Sequence, residues 1–400
     1  MNLNKWRVAV LTIGLLWAAE MLAESVSPSP TPSGRYAAWS RGPSNATNFF
    51  PIAVWLQDPR NAAKYQEAGF NTYVGLWKGP TVEQLAALKK VGMRLICDQN
   101  EVALQRLGDE TIIGWMHGDE PDNAQSLGEG LGWGDPIAPE KIVSDYQKIR
   151  SRDPSRPVLL NLGQGVAWDD YYGRGRRTRH PEDYPRYMEG SDLVSFDIYP
   201  AVHDRKEVAG KLWYVARGVE RLVQWGKGSK IVWNCLECTR ISNTERKPTP
   251  HEVRAEAWMS IIHGSCGLIY FVHQFEPVFR EAALLDDGEM LAAVKRINAE
   301  IKELAPVLNA GTPAEVEVME SIPKGGQIAH FTRRWSGATY LFAVEMQGTN
   351  ATGVFKLGAN QGQMAEVLGE KRQVQLRQGM LEDSFKPWDV HLYRLADARK

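Results

Sequence analysis

The sequence predicts an α/β protein, a TIM (β/α)8 barrel followed by a small C-terminal antiparallel β-sandwich. Three observations carry this. From Phe49 onward, short apolar runs rich in Val, Ile and Trp alternate with amphipathic segments at helical spacing. The alternation repeats eight times over roughly 260 residues, the size of a closed barrel, and no GxGxxG follows the first run as a doubly wound dinucleotide fold would require. After Pro313 the texture changes to alternating strands joined by Gly/Asn turns.

The predicted elements follow in order. Residues 1–23 read as a secretory signal peptide: Lys5 and Arg7 precede an apolar run from Val8 to Ala19, too short to span a bilayer, and Ala23 fits a cleavage site, although Met21 stands where a small residue is preferred. A secreted or periplasmic location follows, with no integral membrane domain after cleavage, and an uncleaved membrane anchor as the other reading. Residues 24–48 are a Ser/Pro-rich linker and lead-in. The barrel occupies 49–310, with strands over 49–57, 71–77, 93–99, 111–120, 156–164, 193–200, 230–238 and 267–275. Helices such as TVEQLAALKKVG and PEKIVSDYQKIRS lie between them; after the third strand only EVALQRLGD is available, so that unit is short. The helix DDGEMLAAVKRINAEIKELAPVLNA closes the pattern, and 311–397 form the sandwich from segments such as GQIAHFTRRW, ATYLFAVEMQ and DVHLYRL.

Composition narrows the function. A net charge of −1 provides no field to gather nucleic acid or an anionic membrane. At 43% hydrophobic and 24% charged residues, the chain is neither disordered nor a polytopic membrane protein. Fourteen tryptophans exceed what a core of this size needs, so some should face a ligand. Cys97, Cys235, Cys238 and Cys266 are too few and too scattered for a disulfide scaffold, and the lone CxxC lacks the partners of a structural zinc site. Buried thiols or one disulfide remain. No motif demands a metal or an organic cofactor.

In such a barrel the chemistry gathers at the carboxyl ends of the strands. Polar candidates there are Gln57; Asp98 with Gln99 and Asn100; His117, Asp119 and Glu120; Asn161 with Gln164; Asp197 and Tyr199; Asn234 and Glu237; and His273 and Gln274. Trp55, Trp77, Trp115 and Trp233 lie on or beside the same ends, as sugar platforms or as barrel filling. Carboxylates facing each other in an uncharged, aromatic-lined pocket suit cleavage of a glycosidic bond: one, protonated, assists the leaving oxygen, and the other, ionised, attacks or stabilises the oxocarbenium-like centre. No G-x-S-x-G elbow or HExxH helix supports acyl transfer or metalloprotease chemistry.

With GWMHGDEPD after the fourth strand, IVWNCLECT at the seventh and SDLVSFDIYP at the sixth, the chain resembles the large clan of retaining TIM-barrel glycoside hydrolases. The resemblance implies Glu120 as acid/base, Glu237 as nucleophile and Tyr199 as the group that keeps Glu237 ionised. It implies an oligo- or polysaccharide substrate positioned by Trp55, Trp77, His117, Asn161, Asp197, Asn234, His273 and Gln274. Two departures stand out: Asp119 replaces the clan's Asn, and Trp77 and Lys78 stand where the second strand should end in Arg. The Asp119/Glu120 pair is similar to β-N-acetylgalactosaminidase-like families, in which the Asp orients the substrate's acetamido group and the Glu is the acid/base. A non-catalytic carbohydrate-binding barrel is the reading outside enzymes. The strand-five loop adds Arg174, Arg176, Arg177, Arg179 and His180, either a site for acidic substituents or a solvated cluster pairing with Glu182 and Asp183.

Overall fold

Parallel strands close on themselves in a computed structural model that describes residues 34–322, 328–357 and 363–396. The signal peptide expected at 1–23 and the spacer up to Ser33 lie outside the described residues. The barrel strands are β1 Ile52–Trp55, β2 Thr72–Val74, β3 Arg94–Cys97, β4 Ile112–Met116, β5 Val158–Leu162 and β6 Leu193–Phe196, then a seventh strand in two pieces, β7 Ile231–Val232 and β8 Asn234–Glu237, and finally β9 Leu268–Phe271. Every pairing is parallel, and β1 beside β9 closes the ring with Ile52 opposite Leu268. β7 pairs with β6 and β8 with β9, so the strand is handed from one neighbour to the other at Trp233.

Helices α1 Ala62–Glu67, α2 Val82–Lys90, α3 Glu101–Leu104, α4 Pro139–Arg152, α5 Tyr184–Met188, α6 Trp213–Gly226, α7 Pro250–Ile262, α8 Ala283–Asp286 and α9 Gly288–Ala310 accompany the strands. The unit after β3 is abbreviated to one turn, as its sequence implies. Capping boxes at Thr81/Gln84 and Thr249/Glu252 start α2 and α7 by satisfying otherwise unpaired backbone N–H groups. No helix among the described residues is long and apolar enough to cross a membrane.

Alternation decides which side chains fill the barrel. Ala53, Trp55, Val74, Ile96, Leu159, Leu193, Trp233, Cys235 and Ile269 point inward and form its packed interior. Trp55 and Trp233 are therefore barrel filling. The end opposite the strand tips is closed by the lead-in: Tyr36 is buried there, and its hydroxyl accepts from Trp233 Nε1 at 3.0 Å. Residues 34–48, read from sequence as linker and lead-in, thus include the floor of the barrel. All four cysteines are free thiols.

The C-terminal part packs a three-stranded sheet, β10 Val316–Ile322, β13 Ala351–Leu357 and β16 Met380–Phe385, against a five-stranded one, β11 Ile328–Trp335, β12 Ala338–Glu345, β17 Val390–Ala396, β14 Met364–Val367 and β15 Arg372–Gln375. Their pairings are antiparallel. Phe342 stacks on Trp258 of α7 at 5.2 Å, and Arg254 reaches the Val390 carbonyl, fixing the sandwich to the barrel's outer layer.

Candidate active site

The mouth over β4, β5 and β6 gathers the acidic side chains. Asn161 sits at its centre and donates through Nδ2 to Asp119 Oδ1 and to Asp197 Oδ1, both at 2.9 Å. Its own carbonyl is held by the Ser195 hydroxyl at 2.6 Å, which orients the amide. Tyr199 donates to the other oxygen of Asp197 at 2.9 Å. One amide and one phenol thus tie two strand-end aspartates into a single network.

Glu120 is placed by an unusual backbone. Its φ is +42°, a left-handed conformation that costs a non-glycine residue energy and is held here by Glu120 N–H donating to the Asn161 carbonyl and Asn123 N–H donating to the Glu120 carbonyl. Asn123 Nδ2 donates to the Glu120 carboxyl at 2.8 Å. Gly163 leaves room for Asn123, since a Cβ at that position would lie 2.4 Å from the Asn123 Oδ1. Beneath them Asp122 is buried, accepting from Gly163 N–H at 2.8 Å and from Tyr184 at 2.9 Å, and it pins the strand-four loop to the strand-five loop.

Crowding sets the proton affinities. Burial, then the charges of Asp197, Asp119 and Asp122, raise the Glu120 carboxyl well above the ordinary range. Burial and then Asp197 push Asp119 up to about 7, although its outer edge meets water; the Asn161 hydrogen bond works against the rise. Asp197 is also raised, by burial, with Asn161, Cys235 and Tyr199 opposing. Three nearby carboxyls cannot all ionise cheaply, and the crowding favours the protonated form of Glu120.

Glu237 lies elsewhere. It is 0% exposed, and its two oxygens accept from Ala201 N–H at 2.6 Å and Val202 N–H at 2.9 Å. Glu256 of α7 stands beside it, fully buried, with no donor for either oxygen among the described residues. Burial, then Glu237, raises Glu256 well above the usual range, with the charge of Arg246 working against the rise. The expected pairing of Glu237 with Glu120 across the pocket is not what the structure shows, and Tyr199 bonds Asp197 instead of Glu237. Glu237 ties the strand-six loop to α7.

Other candidates divide in the same way. His117 is buried with Nε2 2.7 Å from the Gly190 carbonyl, under α4 and α5, and burial lowers its pKa. Asn234 faces α7 and donates to Ser260 at 2.9 Å. His273 is buried beside Gln57, whose Nε2 lies 3.2 Å from its Nε2, and burial pushes it down to about 4, so the ring is neutral. Gln274 donates to the Val278 carbonyl and shapes the strand-eight loop. Trp115 bonds Asp153 away from the mouth, while Trp77 is 69% exposed. In the strand-five loop Arg174 and Arg177 pair with Asp183, Arg179 with Asp170 and His180 with Glu182, so these cations have acidic partners; Arg174 is buried, not solvated.

Aromatic rings flank the carboxyls: Phe271, Phe275 and Phe279, which the sequence does not single out, and Trp168, Tyr171 and Tyr172, which it offers as a wall beside the strand-five loop. Tyr199 contacts Phe271 at 5.4 Å, Phe271 contacts Phe275 at 6.0 Å, and Phe275 stacks on Phe279 at 5.9 Å; the last two are exposed. From the strand-five loop come Trp168, Tyr171 and Tyr172, in mutual ring contact, with the Tyr171 hydroxyl raised by burial and then by nearby Glu120. Phe275 and Phe279 follow a strand-end aromatic in a loop rich in exposed apolar residues, the one signal that could have found them.

The sequence matches no known protein family and no curated protein. Solved structures do match. A GH42 beta-galactosidase from G. stearothermophilus superposes with a TM-score of 0.57 at 8% identity, covering 91% of this chain and 100% of its own. An alpha-amylase from Geobacillus thermoleovorans, complexed with acarbose, gives 0.53 at 13% identity, covering 88% and 99%. An Anoxybacillus alpha-amylase gives 0.52 at 11%, covering 89% and 100%. The chain has the fold of glycoside hydrolases. At these identities the likeness concerns architecture, and the chemistry rests on the site itself.

Proposed function

We propose that the protein is an exported glycoside hydrolase acting on an oligo- or polysaccharide, with Glu120 as general acid/base and Asp119 as the carboxylate that works beside it. The observation that carries this reading is the joining of Asp119 and Asp197 through Asn161 next to a Glu120 whose proton affinity burial and these neighbours raise. A neutral Glu120 can give its proton to a departing glycosidic oxygen and later take one from water. Asp119, ionised over part of the neutral range and open to the mouth, faces the anomeric side. The Phe271–Phe275–Phe279 and Trp168–Tyr171–Tyr172 rings supply flat surfaces for sugar C–H faces.

Because Glu237 is sealed behind the strand-six loop, the reading that fits this geometry is substrate-assisted hydrolysis of a 2-acetamido sugar. Asp119 would accept the acetamido N–H and orient its oxygen toward the anomeric carbon, which forms a cyclic intermediate as the bond to the leaving oxygen breaks. Double displacement through Glu237 would need that carboxylate to leave two backbone donors and Glu256. The test is hydrolysis of aryl 2-acetamido-2-deoxy glycosides beside the plain glycosides by wild type, Asp119→Asn, Glu120→Gln and Glu237→Gln. Loss in the first two variants with activity kept in the third supports the proposal. Full activity in Glu120→Gln, or loss confined to Glu237→Gln, overturns it, and measurable sugar affinity with no turnover supports a binding barrel.

A further inference from the structure

The barrel's closed end holds a second cavity. About 750 Å³ in volume, it lies between the lead-in, the start of β7 and the C-terminal end of α9. Arg35, Lys230 and Arg333 line it, and no aspartate or glutamate does. Lys230 donates to the Ser191 carbonyl at 2.7 Å, which leaves the two guanidiniums as the groups that face inward.

Arg333 is the telling residue. It is only 6% exposed, and its Nε has no hydrogen-bond partner. NH1 reaches the carbonyl of its own neighbour Thr332 at 3.1 Å, and the guanidinium lies 3.9 Å over the Phe331 ring. Burial, then the charge of Arg35, lowers its pKa to about 10; the opposing group is Cys266, and no carboxylate among the described residues acts on it. Arg35 donates to Asn309 at 3.0 Å, with no aspartate or glutamate paired to it among the described residues. Buried or half-buried arginines of like charge facing one cavity are costly unless an anion sits between them. The cation–π contact and the nearby carbonyls of α9 offset only part of that cost.

We propose that this cavity is a binding site for a small ligand carrying an oxyanion head, a phosphate, sulfate or carboxylate, gripped by Arg35 and Arg333. The planar guanidiniums suit two-pronged contact with such a head. Tyr36 and Trp39 line the cavity and offer ring surface for the rest of the ligand. The bound anion would join lead-in, barrel and sandwich at one point, at the opposite end of the barrel from Asp119 and Glu120.

The test is thermal unfolding of the full chain in inorganic phosphate, sulfate or acetate, each against chloride at equal ionic strength, with titration calorimetry for the anion that acts. A site with millimolar or better affinity raises the wild-type Tm by a few degrees or more at about 10 mM. Arg35→Gln and Arg333→Met should weaken binding at least about tenfold and remove the increment, with glycan hydrolysis unchanged. Phosphate and sulfate also stabilise proteins by exclusion from their surface, an effect that wild type and variants share. An equal rise in all three proteins, or none above chloride, overturns the proposal. Should Arg333→Met fail to fold, Arg35→Gln alone decides between these outcomes.

Discussion

Glu237 ends β8 and Glu120 follows β4 by four residues, and their surroundings make them opposites. Glu120 leaves β4 in a left-handed turn that swings its carboxyl into the mouth beside Asp119 and Asp197. Glu237 ends β8 with both oxygens taken by the Ala201 and Val202 amides and Glu256 at its back. Both are raised by burial, so proton affinity does not tell them apart. What differs is access: one carboxyl meets the mouth, and the other is closed off by protein. The strand end is a place where function is possible, and the local backbone decides whether a side chain reaches it.

The sharpest way to break this comparison is to remove each acid separately. Glu120→Gln should lower kcat by about 10²–10⁴-fold on substrates with poor leaving groups. Steady-state kinetics on the same substrates should find Glu237→Gln within roughly tenfold of wild type while its Tm falls, because the amide oxygen can accept from one backbone N–H while the NH2 group faces the other, at a cost of about 1–3 kcal/mol. Equal kinetic loss in the two variants would erase the distinction.

A pH profile sharpens it next. With Asp119 active when ionised, kcat/KM should fall as the pH drops below about 7; with Glu120 active when protonated, it should fall again on the alkaline side. Asp119→Asn, if any activity survives, should remove the acid limb only.

The buried pair at Glu237 predicts stability in place of rate. A carboxyl whose folded pKa is raised contributes its full stability below the unfolded value, and that stability is lost as the pH rises toward the folded pKa. Burial raises both Glu237 and Glu256, so unfolding free energy should decline from about pH 4.5 upward. Glu256→Gln should flatten that decline in urea titrations at several pH values. The smallest effect belongs to the rings: Phe275→Ala should raise KM by a few fold, about 1 kcal/mol of lost stacking, with kcat nearly unchanged.

Much of the barrel was legible because each strand is a short β-branched or aromatic run between helical segments. Asp119, Asn161, Asp197 and Tyr199 were legible as polar residues where packing needs none. The misplaced candidates share a physical cause. Register shifts between β3 and β4 around Ile113, so Met116 points inward and His117 outward, the reverse of a regular strand. Trp233 and Cys235 face inward, and so Asn234 must face α7. The fate of Glu237 depends on the strand-six loop and α7, contacts that no local pattern encodes. In the sandwich, β14, β15 and β16 went unnamed because runs such as RQVQ and LEDSF are polar edge or surface strands with little apolar alternation.

Tyr36, wedged beneath Trp233, makes the barrel a cup with one opening. Sugar cannot thread through, so whatever enters past Trp77 and Phe279 leaves the same way, and release competes with entry at a single door. The lead-in meets the barrel at the base of that cup. Any attachment ahead of Gly34 would therefore join the protein at its base, the end away from the opening.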